Sequence, residues 1–337
     1  MEGGTTARRA ARDDRLEARV VRAVPLRYAA GADPATDRPA HVRAGSGLAR
    51  VGGRIAVIQD DAHFVALADP ATGLADAVAL PAGEGGLRQF DDARGNKRFK
   101  LDLEACATVP SPGGPLLLAL GSGSSPLREK VLVARGLDTA SPEVRLVEAA
   151  ALYATLRAAR AFSGSEMNVE GAVVLGGRVR LFNRGNGAPA GGHAPVDATC
   201  DLPLDALLAY LDDPAGRSPP SPSDVAAWTL GEVDGHALGF TDGAALDGRL
   251  FFTATAEDSP DAVRDGPVAG SAIGVFDADG RGARWALLRD AHGGTFDGKV
   301  EGLLLRGPTS AWIVVDRDDP SHPSELCEVV LDGPWIS

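Results

Sequence analysis

The sequence predicts an all-β fold, a five-bladed β-propeller built from four-stranded blades. One pattern recurs five times along the 337 residues, tight-turn signals follow it, and Gly and Pro are frequent, at 42 and 23 residues. Recurring units of several short strands separated by turns are typical of propellers. The hydrophobic content of 44% and the charged content of 24% are those of an ordinary globular chain.

Each repeat begins with an oxygen-bearing side chain, continues with small or apolar residues, and then has a turn and a β-rich run. The first residues of the five repeats are Ser46, Glu104, Glu170, Asp242 and Glu301. Three of the turns are two-residue signals that supply positive φ, namely Gly52-Gly53, Gly176-Gly177 and Asp247-Gly248. Each repeat therefore opens with a β-hairpin, to which further strands are added.

The spacing places the blades near residues 46–82, 102–148, 168–233, 239–290 and 299–331. The last repeat lacks a fourth strand, and the strand-like residues 16–24 can supply it from the other end of the chain. This closes the ring and removes the open sheet edges. We predict one domain over residues 16–337, preceded by a disordered tail over residues 1–15.

Two segments have helical character. Residues 149–162 are rich in Ala, Leu and Arg, and residues 204–211 have apolar side chains at helical spacing. We predict two short helical insertions, one between blades 2 and 3 and one within blade 3.

The first strand of every propeller blade lines the central channel, so the repeat-opening residues form a ring around it. Carboxylates about 5 Å apart repel by about 3 kcal/mol per pair at an effective dielectric of about 20. They must take up protons, bind a cation, or accept hydrogen bonds from backbone amides of neighbouring strands. Oxygen donors without His or Cys favour Ca²⁺ or Mg²⁺. We predict that Ca²⁺, with Mg²⁺ as the alternative, is held by Ser46, Glu104, Glu170, Asp242 and Glu301.

The residue after the ring side chain is Gly in four of the five repeats. A glycine at this point suits close approach of strands near a crowded axis. The glycines therefore support the placement of these five positions at the centre of the fold.

Polar side chains end the second strands and converge on the same mouth of the channel, including Glu257-Asp258. Loops on a rigid scaffold often carry function, and Arg binds phosphate bidentately. The candidate catalytic residues are Asp60, Asp61 and Arg184. The candidate substrate-binding residues are Arg98, Lys100, Ser124, Arg128 and Arg317. The alternative is that these charged side chains pair with their acidic or basic neighbours.

Several short motifs keep one order along the chain: Ser46-Gly-Leu with Asp60-Asp61 downstream, Arg98-Phe99-Lys100 before Glu104, Asn183-Arg184 after Glu170, Gly239-Phe240-Thr241-Asp242, and Lys299-Val300-Glu301-Gly302. In these motifs the chain resembles the calcium-activated nucleotidases, the apyrase family of five-bladed propellers. The resemblance implies one axial Ca²⁺ held by Ser and Glu side chains, one from each blade. The chain departs from the family where Thr241-Asp242 replaces a second Ser, and in having few aromatic residues. It is more loosely similar to phytase-like and lactonase-type propellers.

These observations favour a metal-dependent hydrolase acting on a phosphate-bearing small molecule. The alternatives are a lactonase or other ester hydrolase at the same metal, and a non-catalytic propeller with a structural ion. The net charge of −12 disfavours nucleic acid and anionic membranes as partners, and leaves a small molecule, anionic ones included.

The remaining features concern the compartment. Residues 1–15 do not read as a signal peptide, and no apolar stretch reaches the length of a membrane span. The three cysteines are far apart, which argues against a disulfide framework and a zinc ribbon. We therefore expect a cytoplasmic protein.

Overall fold

The computed structural model describes residues 7–111, 113–257 and 266–336 of the chain. Strands dominate this part of the molecule, and its α-helices are α1 (Ala150–Ala158), α2 (Arg160–Ser163) and α3 (Leu204–Asp212). The all-β prediction is therefore confirmed. Asp258, predicted at the mouth of the channel, lies outside the described residues.

Three strands precede the repeats: β1 (Arg8–Arg12), β2 (Glu17–Pro25) and β3 (Arg27–Tyr28). The predicted disordered tail over residues 1–15 is thus wrong for β1, which pairs in parallel with two later strands. The proposed partner role of residues 16–24 is confirmed, because β2 forms an antiparallel ladder with the last strand of the chain.

The following strands form five successive antiparallel ladders, which we call units 1 to 5. Unit 1 contains β4 (Gly45–Val51), β5 (Arg54–Gln59), β6 (Phe64–Ala68) and β7 (Leu74–Ala79). Unit 2 contains β8 (Leu103–Val109), β9 (Leu116–Gly121), β10 (Lys130–Arg135) and β11 (Glu143–Glu148). Unit 3 contains β12 (Val169–Leu175), β13 (Arg178–Asn183), β14 (Asp197–Pro203) and β15 (Ser223–Thr229).

The short strand β16 (Glu232–Val233) leads into the last two units. Unit 4 contains β17 (His236–Leu246), β18 (Arg249–Glu257), β19 (Val268–Phe276) and β20 (Gly282–Arg289). Unit 5 contains β21 (Lys299–Gly307), β22 (Ser310–Asp316), β23 (Glu325–Asp332) and, from the other end of the chain, β2. The predicted helices take the predicted places, since α1 and α2 join units 2 and 3, and α3 lies between β14 and β15.

The ladders make three sheets rather than five separate ones. Hydrogen bonds from β1 to β15 and β20, and from β2 to β20, join units 3, 4 and 5 into one 14-stranded sheet. Unit 2 is a four-stranded sheet, and unit 1 gains β3 as a fifth strand. The sequence could not reveal this merging, because it depends on outer edges of units that are distant along the chain.

The first strands of the units contact one another in a closed cycle of β4, β8, β12, β17, β21 and again β4. The hydrophobic core follows the same cycle, with one cluster of buried residues between each pair of consecutive units. The last cluster joins unit 5 to unit 1 through side chains such as Trp312, Val314 and Val57. The ring is therefore closed by apolar packing as well as by the β2–β23 ladder.

The helices pack into the cluster between units 2 and 3. Leu152, Tyr153 and Leu156 of α1 are buried there, as are Leu207 and Tyr210 of α3. Within the described residues, no helix combines the length and the hydropathy that crossing a membrane would require.

The titratable side chain of His63 is buried beside the sheet of unit 1. The His63 ring lies 4.5 Å from the Phe90 ring, centroid to centroid, and its Nδ1 is 3.0 Å from the Pro81 carbonyl oxygen. Its Nε2 is buried and has no hydrogen-bond partner among the described residues. Burial lowers the pKa of His63 to about 4, so the folded protein resists protonation of this ring.

We expect His63→Phe to weaken the acid sensitivity of the fold. Between the unfolded-state pKa of about 6.5 and the folded-state pKa of about 4, only the unfolded chain protonates this residue, so stability is lost as pH falls. The loss is about 2 kcal/mol at about pH 5. Denaturant unfolding at a series of pH values measures it, with the exposed His292→Phe as control. Equal pH dependence in all three proteins would contradict the assignment.

Candidate functional site

Each first strand carries a β-bulge near its start. In the five hairpins formed by the first two strands of each unit, the pairing register passes over one residue: Ser46, Glu104, Glu170, Thr241 and Glu301. A bulge leaves its extra residue out of the ladder and re-aims its side chain. We call these five the bulge residues, and they are structurally equivalent across the ring.

The fourth bulge residue is Thr241 rather than the predicted Asp242. Asp242 pairs with Thr253 in the ladder, and its Oδ1 and Oδ2 accept hydrogen bonds of 2.7 Å from the amides of Gly243 and Leu303. Its carboxylate therefore ties unit 4 to β21 of unit 5. Thr241 is thus the bulge residue of unit 4, one position before the predicted Asp242. Asp242 is buried next to it, and the charges of Glu301 and Glu170 add to the burial that raises its pKa. Its role as a metal ligand stays a prediction.

The expected close approach of strands at the glycines is confirmed at two positions. A Cβ atom on Gly171 would lie 3.0 Å from Cα of Asp242, and one on Gly302 would lie 2.9 Å from Cα of Gly47. Both contacts are with backbone, which cannot move aside as a flexible side chain can. The inner strands therefore approach so closely that a side chain at either position would push them apart.

Three of the bulge residues are glutamates with different partners. Glu170 Oε1 accepts a hydrogen bond of 2.6 Å from Asn168 Nδ2 and lies 3.7 Å from NH1 of Arg184. Glu301 forms an ion pair of 3.1 Å with Lys299. Glu104 is partly buried. None of the described residues forms a hydrogen bond or an ion pair with its carboxylate.

The three glutamates lie close enough to destabilise one another's charge. Burial, followed by the charges of Asp60, Asp102 and Glu170, raises the pKa of Glu104 well above its usual value. Burial raises the pKa of Glu170 to about 8, with Glu301 adding to the rise and Arg184 opposing it. Burial also raises the pKa of Glu301, against the attraction of Lys299. The carboxylates of three units thus form one electrostatically coupled group.

A compact charge cluster flanks Glu104. Asp60, Asp102 and Glu104 each offer one carboxylate oxygen, and these oxygens lie within 4.8 Å of one another. Nζ of Lys100 lies 2.6 Å from Oδ1 of Asp60 and 2.6 Å from Oδ1 of Asp102. Asp102 also pairs with Arg128 at 2.9 Å and accepts a hydrogen bond from the Ser122 hydroxyl.

This cluster perturbs its aspartates in opposite directions. Burial raises the pKa of Asp60 to about 7, with Asp102 and Asp61 adding to the rise and Lys100 opposing it. The pKa of Asp102 is lowered instead, because Lys100 and Arg128 together outweigh its burial. The pKa of Asp60 thus lies near neutral pH, whereas Asp102 stays ionised there.

A second cluster flanks Glu170 and Glu301. Arg184 is 5% exposed, and its NH2 lies 3.2 Å from Oε1 of Glu257. Lys299 lies 3.4 Å from Oδ1 of Asp318, and the charges of Asp318 and Glu301 add to the burial that raises the pKa of Asp316. These side chains come from units 3, 4 and 5, so the cluster bridges three of the five units.

The structure brings several predicted side chains to the ring and leaves others outside it. Asp60, Lys100, Arg128 and Arg184 lie in the two clusters. Ser124 accepts a hydrogen bond of 2.8 Å from Arg128.

The other three predicted residues have different surroundings. Asp61 pairs with the buried Arg43 at 2.5 Å. Arg317 instead pairs with Glu325 at 3.0 Å, and Arg98 is exposed and stacks on Phe99. The alternative that charged side chains pair with one another therefore describes Arg317 and Asp61, and equally Lys100, Arg128 and Arg184 in the two clusters.

Sequence reasoning missed three contributors to the clusters: Asp102, Asn168 and Lys299. Each stands two residues before a bulge glutamate. Residues two apart on a strand lie on the same face, so the position was available as a signal.

We expect Asp242→Ala to cost about 3 kcal/mol of unfolding free energy, because two buried amides lose their hydrogen-bond acceptor. If Ca²⁺ binds the bulge residues, as the sequence predicts, and Asp242 is not a ligand, the stabilisation by Ca²⁺ should be the same in the variant and the parent. Thermal unfolding with Ca²⁺ and with a chelator measures both quantities. Thr241→Val is the matched comparison at the adjacent bulge. If Asp242→Ala abolished the stabilisation by Ca²⁺ and Thr241→Val did not, Asp242 would be identified as a Ca²⁺ ligand.

Comparison with known proteins identifies a family for this chain, but the function of that family is unknown. The model of DUF6929, a family of unknown function, matches residues 41–331. The search of curated proteins gave no match. A glutaminyl cyclase of Myxococcus xanthus is similar in structure, with a TM-score of 0.45 and 12% identity over 97% of this chain and 99% of that one.

Two further solved structures are similar at lower scores. The calcium-binding protein regucalcin of Agrobacterium tumefaciens has a TM-score of 0.37 and 12% identity, over 88% of this chain and 93% of that one. An exo-1,5-alpha-L-arabinanase from a bovine ruminal metagenomic library has a TM-score of 0.41 and 9% identity, over 86% and 92%. Likenesses this distant leave the function to be argued from the residues of the chain.

Proposed function

Since the chain belongs to DUF6929, a family of unknown function, we propose its function from its own site: a five-bladed β-propeller that binds one Ca²⁺ at its axis and hydrolyses a phosphate-bearing small molecule. The five-bladed interpretation rests on the five ladders, the closed cycle of first strands and the five core clusters between consecutive units. The merged 14-stranded sheet is compatible with it, because the added hydrogen bonds run along the outer strands.

The observation that carries the cation proposal is Glu104. Its carboxylate has no counter-charge in direct contact, while Asp60, Asp102 and Glu170 surround it with like charges. Among the described residues of the two clusters, the carboxylates outnumber the cationic side chains Lys100, Arg128, Arg184 and Lys299. A cation placed among the bulge residues offsets this excess.

The donor set fits a hard divalent cation. The glutamates of units 2, 3 and 5 would supply carboxylate oxygens. Ser46 and Thr241, whose hydroxyls donate hydrogen bonds to the Leu103 carbonyl and to Thr253, would supply hydroxyl oxygens. Oxygen donors of this kind suit Ca²⁺ and Mg²⁺, and a ring filled out by water suits the six to eight flexible ligands of Ca²⁺. Mg²⁺ requires a tighter octahedron, so we assign Ca²⁺.

The hydrolase proposal also assigns roles to the side chains at the mouth of the ring. When bound, Ca²⁺ would polarise a phosphoryl oxygen or lower the pKa of an attacking water. Asp60 lies against Glu104 and titrates at about 7, which suits a general base near neutral pH. Arg128 offers a guanidinium near Asp102 that would attract an anionic group to this side. Arg184 is enclosed between Glu170 and Glu257, so we assign it to holding the glutamates rather than to the substrate.

Ca²⁺ removal is expected to lower stability increasingly as pH rises. In a chelator, the raised pKa values of Glu104, Glu170 and Glu301 mean that the folded state keeps protons that the unfolded chain has lost. This stabilising contribution is complete below about pH 4.5 and is lost as pH rises through the folded-state value of Glu170, about 8. Ca²⁺ at roughly 100 times its Kd should add about 2.7 kcal/mol.

Scanning calorimetry from about pH 5 to about pH 8, with Ca²⁺ and with a chelator, tests this expectation. Glu104→Gln should lose the Ca²⁺ effect and be at least as stable as the parent in chelator, because it removes a repelled charge. The exposed Glu143→Gln is the matched control and should behave as the parent does. If Ca²⁺ does not change the melting temperature of the parent protein at about pH 8, the cation site is ruled out.

Turnover is tested on the Ca²⁺-loaded protein with nucleoside diphosphates, inorganic pyrophosphate, phosphomonoesters and sugar lactones. We expect phosphate release, and Asp60→Asn should lower kcat by about 10²- to 10⁴-fold as a general base is lost. Asp76→Asn, an exposed aspartate of unit 1, is the control. Ca²⁺ binding without turnover of any phosphate compound would leave the ion a structural one, and turnover of lactones alone would identify the lactonase alternative.

A further inference from the structure

In the described part of the chain, the outer strands of consecutive units are joined in parallel at three of the five interfaces. The end of β20 pairs directly with the start of β2 between units 4 and 5. Between units 3 and 4, β1 pairs with both the end of β15 and the start of β20. Between units 5 and 1, β3 follows β2 along the chain and pairs with the start of β7. The end of one outer strand is thus linked to the start of the next, either directly or through a short extended segment.

The interface between units 1 and 2 has a groove at the corresponding place. The groove has a volume of about 570 Å³, and its walls include residues 76–79 at the end of β7 and Val144 at the start of β11. These are the positions that β1 joins between units 3 and 4. No strand of the described residues links β7 to β11, so the groove lies where a linking strand would lie.

The β7 wall of the groove carries unpaired backbone groups. The Leu80 amide donates to the His63 carbonyl, in register with the ladder between β6 and β7. Backbone groups of successive residues in an antiparallel strand point alternately to opposite sides. Ala79 therefore directs its N–H and C=O groups away from β6. Since β3 pairs with β7 only over residues 74–75, these groups of Ala79 have no strand partner among the described residues.

The β11 wall is arranged in the same way. The Ala149 amide donates to the Glu129 carbonyl, in register with the ladder between β10 and β11. By the same alternation, Val144 directs its N–H and C=O groups away from β10. Because β11 is the outer strand of its sheet, an extended segment in the groove would meet free backbone groups on both sides. Strand edges of this kind add a further strand.

The side chains of β1 indicate what suits such a position. Ala10 of β1 is buried in the core cluster between units 3 and 4, and NH2 of Arg8 lies 3.7 Å from Oδ1 of Asp224. The groove offers similar surroundings, because its lining includes the buried Leu67 and the exposed Asp138. Asp138 forms no ion pair with any described residue, whereas the other aspartate of the groove pairs with an arginine. A segment with small apolar and basic side chains therefore fits the groove.

We infer that the groove between units 1 and 2 binds an extended, basic segment of a partner protein, which adds as a strand parallel to β7 and β11. The carboxylate of Asp138 complements a basic side chain of this segment. The net charge of −12 opposes association with a second copy and favours a basic partner. The groove is separate from the axial site, since none of the bulge residues lines it.

The test uses the intact protein and a phage-displayed library of linear dodecapeptides. We expect the selected peptides to combine small apolar residues with Arg or Lys. One selected peptide is synthesised with capped ends, and its Kd is measured by fluorescence anisotropy. Hydrogen exchange at the amides of Ala79 and Val144 is followed by NMR with and without the peptide. It should slow by about 10-fold or more in the complex, because strand pairing protects these amides.

Variants of Ala79 and Asp138 test the two kinds of contact. Ala79→Pro removes an N–H that faces the groove and leaves the hydrogen bonds between β6 and β7 intact, so the Kd should rise by about 10-fold or more. Ala79→Ser keeps this N–H and should bind as the parent does. Asp138→Asn should raise the Kd by about 3-fold and weaken its dependence on salt. Its control is Asp205→Asn, at an exposed aspartate of α3 outside the groove.

A library that yields no binding peptide overturns the inference, as does a peptide that binds Ala79→Pro as tightly as the parent. Binding without slower exchange at Ala79 and Val144 also overturns it, because the peptide then adds no strand. A dimer of the parent that Ala79→Pro dissociates, detected by light scattering, would identify a second copy as the occupant in place of a partner protein. If Ala79→Pro does not fold, the Kd of Asp138→Asn and the exchange at Val144 in the parent decide the question.

Discussion

The repulsion among Glu104, Glu170 and Glu301 is the constraint on which the rest of the structure depends. Three units direct a carboxylate toward one another in a place that water reaches poorly, as their raised pKa values record. The charge of Glu170 raises the pKa of Glu104, and the charge of Glu301 raises the pKa of Glu170. Packing elsewhere must hold the units together against this repulsion, and nearby cations must reduce it.

The packing that resists the repulsion is distributed around the ring. Each interface between consecutive units contains its own cluster of buried apolar side chains. The interface between units 5 and 1 closes the cycle, and β2 joins the last strand to the beginning of the chain. Since the ring opens only where one of these interfaces breaks, the central charges are confined by contacts far from them. The parallel pairs of β1 and β2 with β20 add a further link between outer edges.

The sequence predicted the repeats, the helices and the closing strand, because these depend on local turn chemistry and periodicity. It did not identify Thr241 as the fourth bulge residue, because Asp242-Gly243 repeats the acidic-Gly pattern of Glu170-Gly171 and Glu301-Gly302. The bulge that selects Thr241 is decided by pairing with β18, which composition does not reveal. It also missed β1, whose Arg-rich sequence has little apolar alternation and whose strand partners lie more than 200 residues away along the chain.

The cations that offset the glutamates are of two kinds, and the difference has physical consequences. Arg184, Lys299 and Lys100 are tethered, so their charge is present at every ion concentration and their ordering cost is part of the folding free energy. An exchangeable ion offsets charge only when its concentration exceeds its Kd. Glu170 and Glu301 each contact a tethered cation, whereas Glu104 contacts none among the described residues. Under the proposed function, the dependence on an outside ion is therefore concentrated at Glu104, beside Asp60, whose pKa burial raises to about 7. An exchangeable ion bound beside this titratable group would couple ion binding to proton binding, as the proposed activation of water by a cation requires.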